Sequence, residues 1–124
     1  EETILLVDDD DLYRRSCRRM LDRTGYRVLE AANGAEAIRI FERERENVDV
    51  VILDSRMPSL SGTDVCRAIA AIDPRVPILV VSGYSEVHEL DAIANEGASG
   101  FLPKPFDAKH FLEAMSRLER RTAK

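Results

Sequence analysis

Residues 4–11 read ILLVDDDD: four apolar residues run straight into four aspartates. The first half reads as a buried strand, and the second half is harder to place because adjacent carboxylates repel one another. Aspartate caps helices and suits the positive end of the helix dipole, so the stretch alone reads as a strand followed by a solvated helix start. Whether it means more depends on which other groups the chain sends to the same place.

Working outward, a short apolar run followed by a longer segment of helical period recurs five times, the signature of a parallel sheet covered by helices. Strands are expected at Thr3 to Val7, Arg27 to Ala31, Val48 to Leu53, Pro77 to Val81 and Gly100 to Leu102. Three of these are near-continuous Val, Ile and Leu, as in strands buried on both faces. The helix stripes between them are Tyr13, Cys17, Met20 and Leu21; Ala37, Ile38 and Phe41; Val65, Ile69 and Ile72; and Val87, Leu90 and Ile93. A fifth stripe, Phe111, Leu112, Met115 and Leu118, opens on Asp107 as N-cap. Gly25, Gly34 and Gly97 fall where helices stop or turns form, and Pro74 with Pro77 closes the third helix. The chain therefore reads as one α/β domain over 1–124, a (βα)5 unit in which 118–124 form the end of the last helix and a charged tail.

With 124 residues the chain is long enough for one sizeable core. Hydrophobic residues make up 44% and charged residues 33%, too apolar for a disordered chain. The net charge of -5 argues against a general nucleic-acid surface and gives no pull toward anionic lipid, so proteins and cations are the expected partners. The longest apolar runs are far short of the roughly 20 residues that cross a bilayer. No basic-then-apolar leader is visible and the chain opens on Glu1 without Met, so a cytoplasmic location is expected, with excision from a longer protein open. Cys17 and Cys66 sit among apolar helix positions, where a buried free thiol is the common case, and no CxxC spacing argues for a redox pair.

In an open parallel α/β sheet the functional crevice lies at the carboxyl ends of the strands. The first strand ends in Asp8 and Asp9, the third in Asp54, the fourth in Ser82, and the fifth in Pro103-Lys104-Pro105. Three carboxylates, a hydroxyl and an ammonium on one edge would hold a hard divalent cation together with a phosphoryl group. Mg2+ takes oxygen ligands and keeps several waters, which two or three carboxylates beside a phosphate oxygen satisfy. Asp10 and Asp11 fit the plainer role of turn and helix cap.

These residues carry a resemblance. With LLVDDD at 5–10, VVILDSRMPSLSG at 50–62, ILVVSGY at 78–84 and GASGFLPKPF at 97–106, the chain resembles the receiver domains of two-component response regulators over nearly all its length. The resemblance implies the doubly wound, flavodoxin-like strand order 2-1-3-4-5 with helices on both faces. It implies Asp54 as phosphoacceptor, attacking a phosphohistidine on a sensor histidine kinase or a histidine phosphotransfer protein. Asp8, Asp9, Asp54 and the backbone carbonyl of Arg56 would form the Mg2+ site, Asp8 mainly through a bound water, with Mn2+ as a substitute. Lys104 and Ser82 would bind the phosphoryl oxygens, and the Lys104-Pro105 bond would be cis. Ser82 and Phe101 would form the switch, although the family's usual aromatic there is Tyr. Arg56 and Tyr84 would set the acyl phosphate lifetime. Leu12, Tyr13, Pro105 and Phe106 would ring the pocket as an apolar docking collar, the arginines at 14, 15, 18 and 19 being a solvated helix face. Homodimerisation on phosphorylation is also expected, with no nucleic-acid or membrane contact by this domain.

Rival classes fit less well. An aspartyl-phosphate hydrolase would want a second aspartate two residues after Asp54, where Arg56 stands, so no free-standing enzyme is expected. A flavin domain would want a Ser/Thr/Gly loop after the first strand in place of aspartates, which repel phosphate unless a cation intervenes. A degenerate, binding-only receiver is at odds with intact Asp9, Asp54 and Lys104. His88 and His110 read as surface residues. The SGYSE stretch at 82–86 leans toward the receiver end of a hybrid sensor kinase.

Overall fold

The computed structural model describes residues 2–55, 57, 60–83 and 90–120, with the backbone alone at 90 and 91. Among the described residues five strands alternate with five helices: β1 (Thr3–Val7), α1 (Asp11–Arg23), β2 (Arg27–Ala31), α2 (Gly34–Glu44), β3 (Val50–Asp54), α3 (Gly62–Ile72), β4 (Ile78–Ser82), α4 (Leu90–Asn95), β5 (Gly100–Pro103) and α5 (Ala108–Ser116). All pairings are parallel and the sheet order is β2-β1-β3-β4-β5, as the resemblance implies.

Because side chains alternate along a strand, each strand feeds two cores. Leu5, Val7, Val51, Leu53, Ile78 and Val80 face a cluster closed by Ala37 and Phe41 of α2, Val65, Cys66 and Ile69 of α3, and Ile93 of α4. Ile4, Leu6, Val50, Ile52, Leu79 and Val81 face the opposite cluster, closed by Cys17 and Leu21 of α1 and Phe111, Ala114 and Met115 of α5. Helices therefore cover both faces. Cys17 and Cys66 lie on opposite sides of the sheet as free, buried thiols, which rules out a pair. Burial pushes Cys17 up to about 12, with Asp8 adding to the rise, and Cys66 up to about 11.

Short polar side chains start four of the helices by accepting an orphan backbone N–H. Asp10 accepts from Tyr13 N at 3.1 Å, Asn33 from Glu36 N at 2.9 Å, Ser61 from Asp64 N at 3.2 Å and Asp107 from His110 N at 2.8 Å. Asp10 is thus the cap of α1, and His110 is exposed beside Asp107.

Several boundaries differ from expectation. β3, β4 and β5 each run one residue further, because the ladder continues into the polar edge with Asp54 opposite Val81 and Ser82 opposite Pro103. β3 begins later because the Val48 N–H closes the end of α2 on the Glu44 carbonyl at 3.1 Å. Gly34 does not end a helix but opens α2 in a buried position, where a Cβ would lie 2.6 Å from Val65 Cγ2. Leu112 is 43% exposed, one step of about 100° from the buried Phe111, so the α5 stripe runs through Ala114 instead. Ile40, not Ile38, packs on the core beside Ala37 and Phe41. Residues 118–120 do not extend α5, which stops at Ser116. The Arg120 guanidinium takes up the Met115 and Leu118 carbonyls at 3.1 and 3.0 Å and pairs with Glu2. Val87, His88 and residues 121–124 lie outside the described residues.

Candidate phosphoacceptor site

The ends of β1, β3, β4 and β5 bring the polar residues to one edge. Asp8 and Asp54 are 4% and 6% exposed, Ser82 is equally buried, and Asp9 is open to solvent. Carboxylate oxygens of Asp8, Asp9 and Asp54 all lie within 4.8 Å of one another. This is a hard, all-oxygen donor set of high negative charge, which fits Mg2+ and does not suit a soft metal.

Lys104 supplies the counter-charge. Its Nζ stands 3.4 Å from Asp54 Oδ2 and 3.6 Å from Asp8 Oδ2. Burial pulls its pKa down, but the two carboxylates outweigh burial and hold it above the ordinary lysine value. The backbone carries the residue there: Lys104 N–H donates to the Ser82 carbonyl at 2.9 Å, extending the β4–β5 ladder, and Lys104-Pro105 is cis. On its other side the ammonium lies 4.5 Å from the centroid of the Tyr13 ring.

The loop after β1 is held from two directions. Asp8 Oδ1 accepts from Asp10 N–H at 2.9 Å, and Arg14 Nη1 donates to the Asp8 carbonyl at 2.7 Å. Arg14 is fixed in turn by Glu30 and Asp11 at 2.9 and 2.8 Å. Its side chain is 12% exposed, so Arg14 is no part of a solvated helix face; Arg18 also reaches Glu30, while Arg15 and Arg19 are exposed as expected. Sequence reasoning missed this network. Its signal is Glu30, a lone carboxylate in β2 aligned with Leu6, on the face that α1 covers.

Leu12 and Pro105 are exposed, while Tyr13 and Phe106 are half-buried. Tyr13 and Phe106 meet edge to face at 6.3 Å. Burial, with Cys17, Asp8 and Asp54, pushes the Tyr13 hydroxyl well above its ordinary value, so it stays neutral. Phe101, opposite Val80 in the ladder, is half-buried against the α2/α3/α4 cluster rather than lying out on the surface. Arg56 and Tyr84 lie outside the described residues.

A doubly wound five-stranded sheet with three carboxylates and a lysine at its carboxyl edge defines the class: a parallel α/β domain with an acidic, cation-competent cleft. The chain belongs to the response regulator receiver domain family, whose model matches residues 4–116. It is 42% identical over 120 residues to the response regulator MprA of Mycobacterium sp. (strain KMS), covering 97% of this chain and 51% of that protein. The chain thus spans about half the length of the curated relatives it matches. Among solved structures, a response regulator receiver domain protein from Clostridium thermocellum aligns at a TM-score of 0.89 and 32% identity, over 94% of this chain and 92% of that one. The receiver domain of the sensor histidine kinase PA1611 from Pseudomonas aeruginosa PAO1 carries a magnesium ion in its active site cleft. It aligns at 0.85 and 31% identity, over 94% of this chain and 96% of its own.

Proposed function

We propose that the domain accepts a phosphoryl group on Asp54 from a phosphohistidine of a sensor histidine kinase or a histidine phosphotransfer protein. The observation that carries this reading is the Lys104 ammonium set between Asp54 and Asp8, beside a third carboxylate. An Asp54 oxygen forms the new P–O bond while the P–N bond to imidazole breaks, its electron pair returning to the ring nitrogen. Phosphoryl transfer asks the protein mainly for positioning and charge neutralisation. Asp8, Asp9, Asp54 and the Arg56 carbonyl would hold Mg2+, with Mn2+ able to use the same donors. When bound, the ion would offset the carboxylate charge and polarise the phosphoryl oxygens. Lys104 pairs with one phosphoryl oxygen and the Ser82 hydroxyl donates to another. The magnesium in the PA1611 receiver supports the metal assignment.

The acyl phosphate then switches a protein surface. Ser82 moves toward the phosphoryl oxygen, Phe101 turns further inward, and the changed face favours a partner or a second copy of the domain. Arg56 and Tyr84, two positions after Asp54 and Ser82 in the sequence, would set the lifetime; the collar of Leu12, Tyr13, Pro105 and Phe106 would dock the donor protein. The domain assists its own phosphorylation and dephosphorylation without being a free-standing enzyme, and it contacts no nucleic acid itself. Among the described residues no helix is long and apolar enough to cross a membrane. Similarity to MprA favours a response regulator as the parent chain, that to the PA1611 receiver a hybrid sensor kinase; reading the full-length gene decides. The test of the site is incubation with phosphoramidate, with and without Mg2+, followed by intact mass. The wild type should gain one phosphoryl group only with Mg2+, and Asp54→Asn should gain none. Equal labelling of the mutant would sink the assignment.

A further inference from the structure

We propose that Tyr13 is a positioning residue for Lys104: its ring face parks the ammonium over the gap between Asp8 and Asp54, where an incoming phosphoryl group must meet it. The inference rests on the phosphoacceptor reading for its consequence, though not for its geometry. At 3.4 and 3.6 Å from the two carboxylate oxygens, Lys104 Nζ is further out than the roughly 2.7–2.9 Å of a tight charge-assisted hydrogen bond. Both carboxylates attract it without closing to a short contact. A lysine stem has several rotatable bonds and free choice of rotamer unless something else confines the head group. The Tyr13 ring, 4.5 Å away at its centroid, is that third contact, and a cation over an aromatic face is attracted by the ring quadrupole.

The ring is itself held. Its backbone N–H is bound by the Asp10 cap, which fixes where the helix presents it. Edge-to-face contact joins Tyr13 to Phe106; Phe106 stacks on the fully buried Phe111 at 6.2 Å, and Phe111 meets Tyr26 at 5.9 Å. A chain of four rings thus runs from the α1/α5 core to the site lysine. An ammonium placed in advance lets developing phosphoryl charge be met without a rotamer search, which is how preorganised groups lower a barrier.

The experiment uses the full chain and two readouts. First, the Lys104 ε-methylene protons should show an upfield ring-current shift in wild type and Tyr13→Phe that disappears in Tyr13→Leu; no metal or phosphodonor is needed. Second, affinity for beryllofluoride with Mg2+ should fall by roughly three- to tenfold in Tyr13→Leu, be retained in Tyr13→Phe, and show no further loss when Tyr13→Leu is added to Lys104→Ala. Tyr13→Met serves if the leucine variant unfolds. Absence of the ring-current shift, or an equal affinity loss in both Lys104 backgrounds, would overturn the proposal. If the shift is present but the wild type binds no beryllofluoride, the phosphoacceptor reading fails while the contact stands.

Discussion

On the α1/α5 face the strands meet rings: Phe111 is fully buried and passes contact through Phe106 and Tyr13 to Lys104. On the opposite face Phe41 is just as buried, but the helices also approach one another through small residues. A Cβ on Gly34 of α2 would lie 2.6 Å from Val65 Cγ2 of α3, and one on Gly97 would lie 3.0 Å from Ala70 Cβ. Both faces exclude water, by different means, and the difference matches the division of labour proposed for the site. In the proposed site the aromatic face would hold the ammonium that pairs with the phosphoryl oxygens. The small-residue face carries α4 and Phe101, which are proposed to report it.

The two fully buried phenylalanines, Phe111 on one face and Phe41 on the other, should give the largest effects. Truncating either to alanine should cost about 3–5 kcal/mol in urea unfolding, since the lost transfer energy and the residual cavity are alike. Only Phe111→Ala should also slow Asp54 phosphorylation by phosphoramidate, measured at a temperature where both variants are folded. Equal slowing by both would erase the functional difference between the faces.

Close approach gives the next largest effect. Gly34→Ala pushes a methyl group against Val65 and Leu60 and should destabilise by about 1–3 kcal/mol. Gly100→Ala on the aromatic face meets only Leu118 Cδ2 at 3.3 Å and Leu79 Cδ1 at 3.5 Å, the far ends of flexible side chains, and should cost under about 1 kcal/mol. Chemical denaturation midpoints of the pair test whether the small-residue face is the tighter one.

The strand rhythm and the five polar residues at the strand ends were legible in the sequence, because a period of two and a polar break after an apolar run are local signals. Asp8, Asp9, Asp54, Ser82 and Lys104 needed only the rule that parallel strands end together. Arg14 was not legible: four arginines on one helix look alike until β2 brings Glu30 across from it, a contact 16 residues away. Tyr13 was expected in a docking collar, and its ring lies over Lys104; the seat proposed for the lysine depends on the ring's contact with Phe106, which the sequence does not show. Gly34 misled because a glycine between a strand and a helix signals a turn as readily as it signals crowding.

Charge networks differ between the faces as packing does. Glu30, half-buried under Arg14 and Arg18, resists burial's upward pull through its hydrogen bonds to both arginines and is held below the ordinary 4.5. A carboxylate with a depressed folded value stabilises above its unfolded value, and that contribution is lost as pH falls through the folded one. Glu30→Gln should therefore flatten the acid loss of stability between about pH 5 and pH 3, followed by urea midpoints. Glu96, whose bond to Arg67 joins α3 to the turn after α4 with side chains 32% and 58% exposed, is also held down by that bond, but Glu96→Gln should give a smaller change at physiological salt. A matching effect from both would mean that burial of the Arg14 network contributes nothing special.

The smallest effect on stability should come from Phe101→Tyr, on the face proposed to report the phosphoryl group. Phe101 packs half-buried on the α2/α3/α4 cluster opposite Val80, so its ring already sits partly inward without a phosphoryl group. A phenyl ring can go further in without stranding a polar atom, whereas a tyrosine hydroxyl taken away from water without a partner costs about 1–3 kcal/mol. The hydroxyl can avoid that cost by staying at the surface, so global stability should change by less than about 1 kcal/mol. The populations should change more visibly. In the unphosphorylated domain, amide shifts of β5 and α4 should move away from their beryllofluoride-bound positions in Phe101→Tyr, because the inward state is penalised before the phosphoryl mimic arrives. The bound spectra of parent and variant should remain close, since the gain at Ser82 acts in both. If the unliganded spectra coincide as well, the missing hydroxyl does not set the resting balance of the switch, and the reporting face must be governed by the helix packing around Cys66 and Ile93.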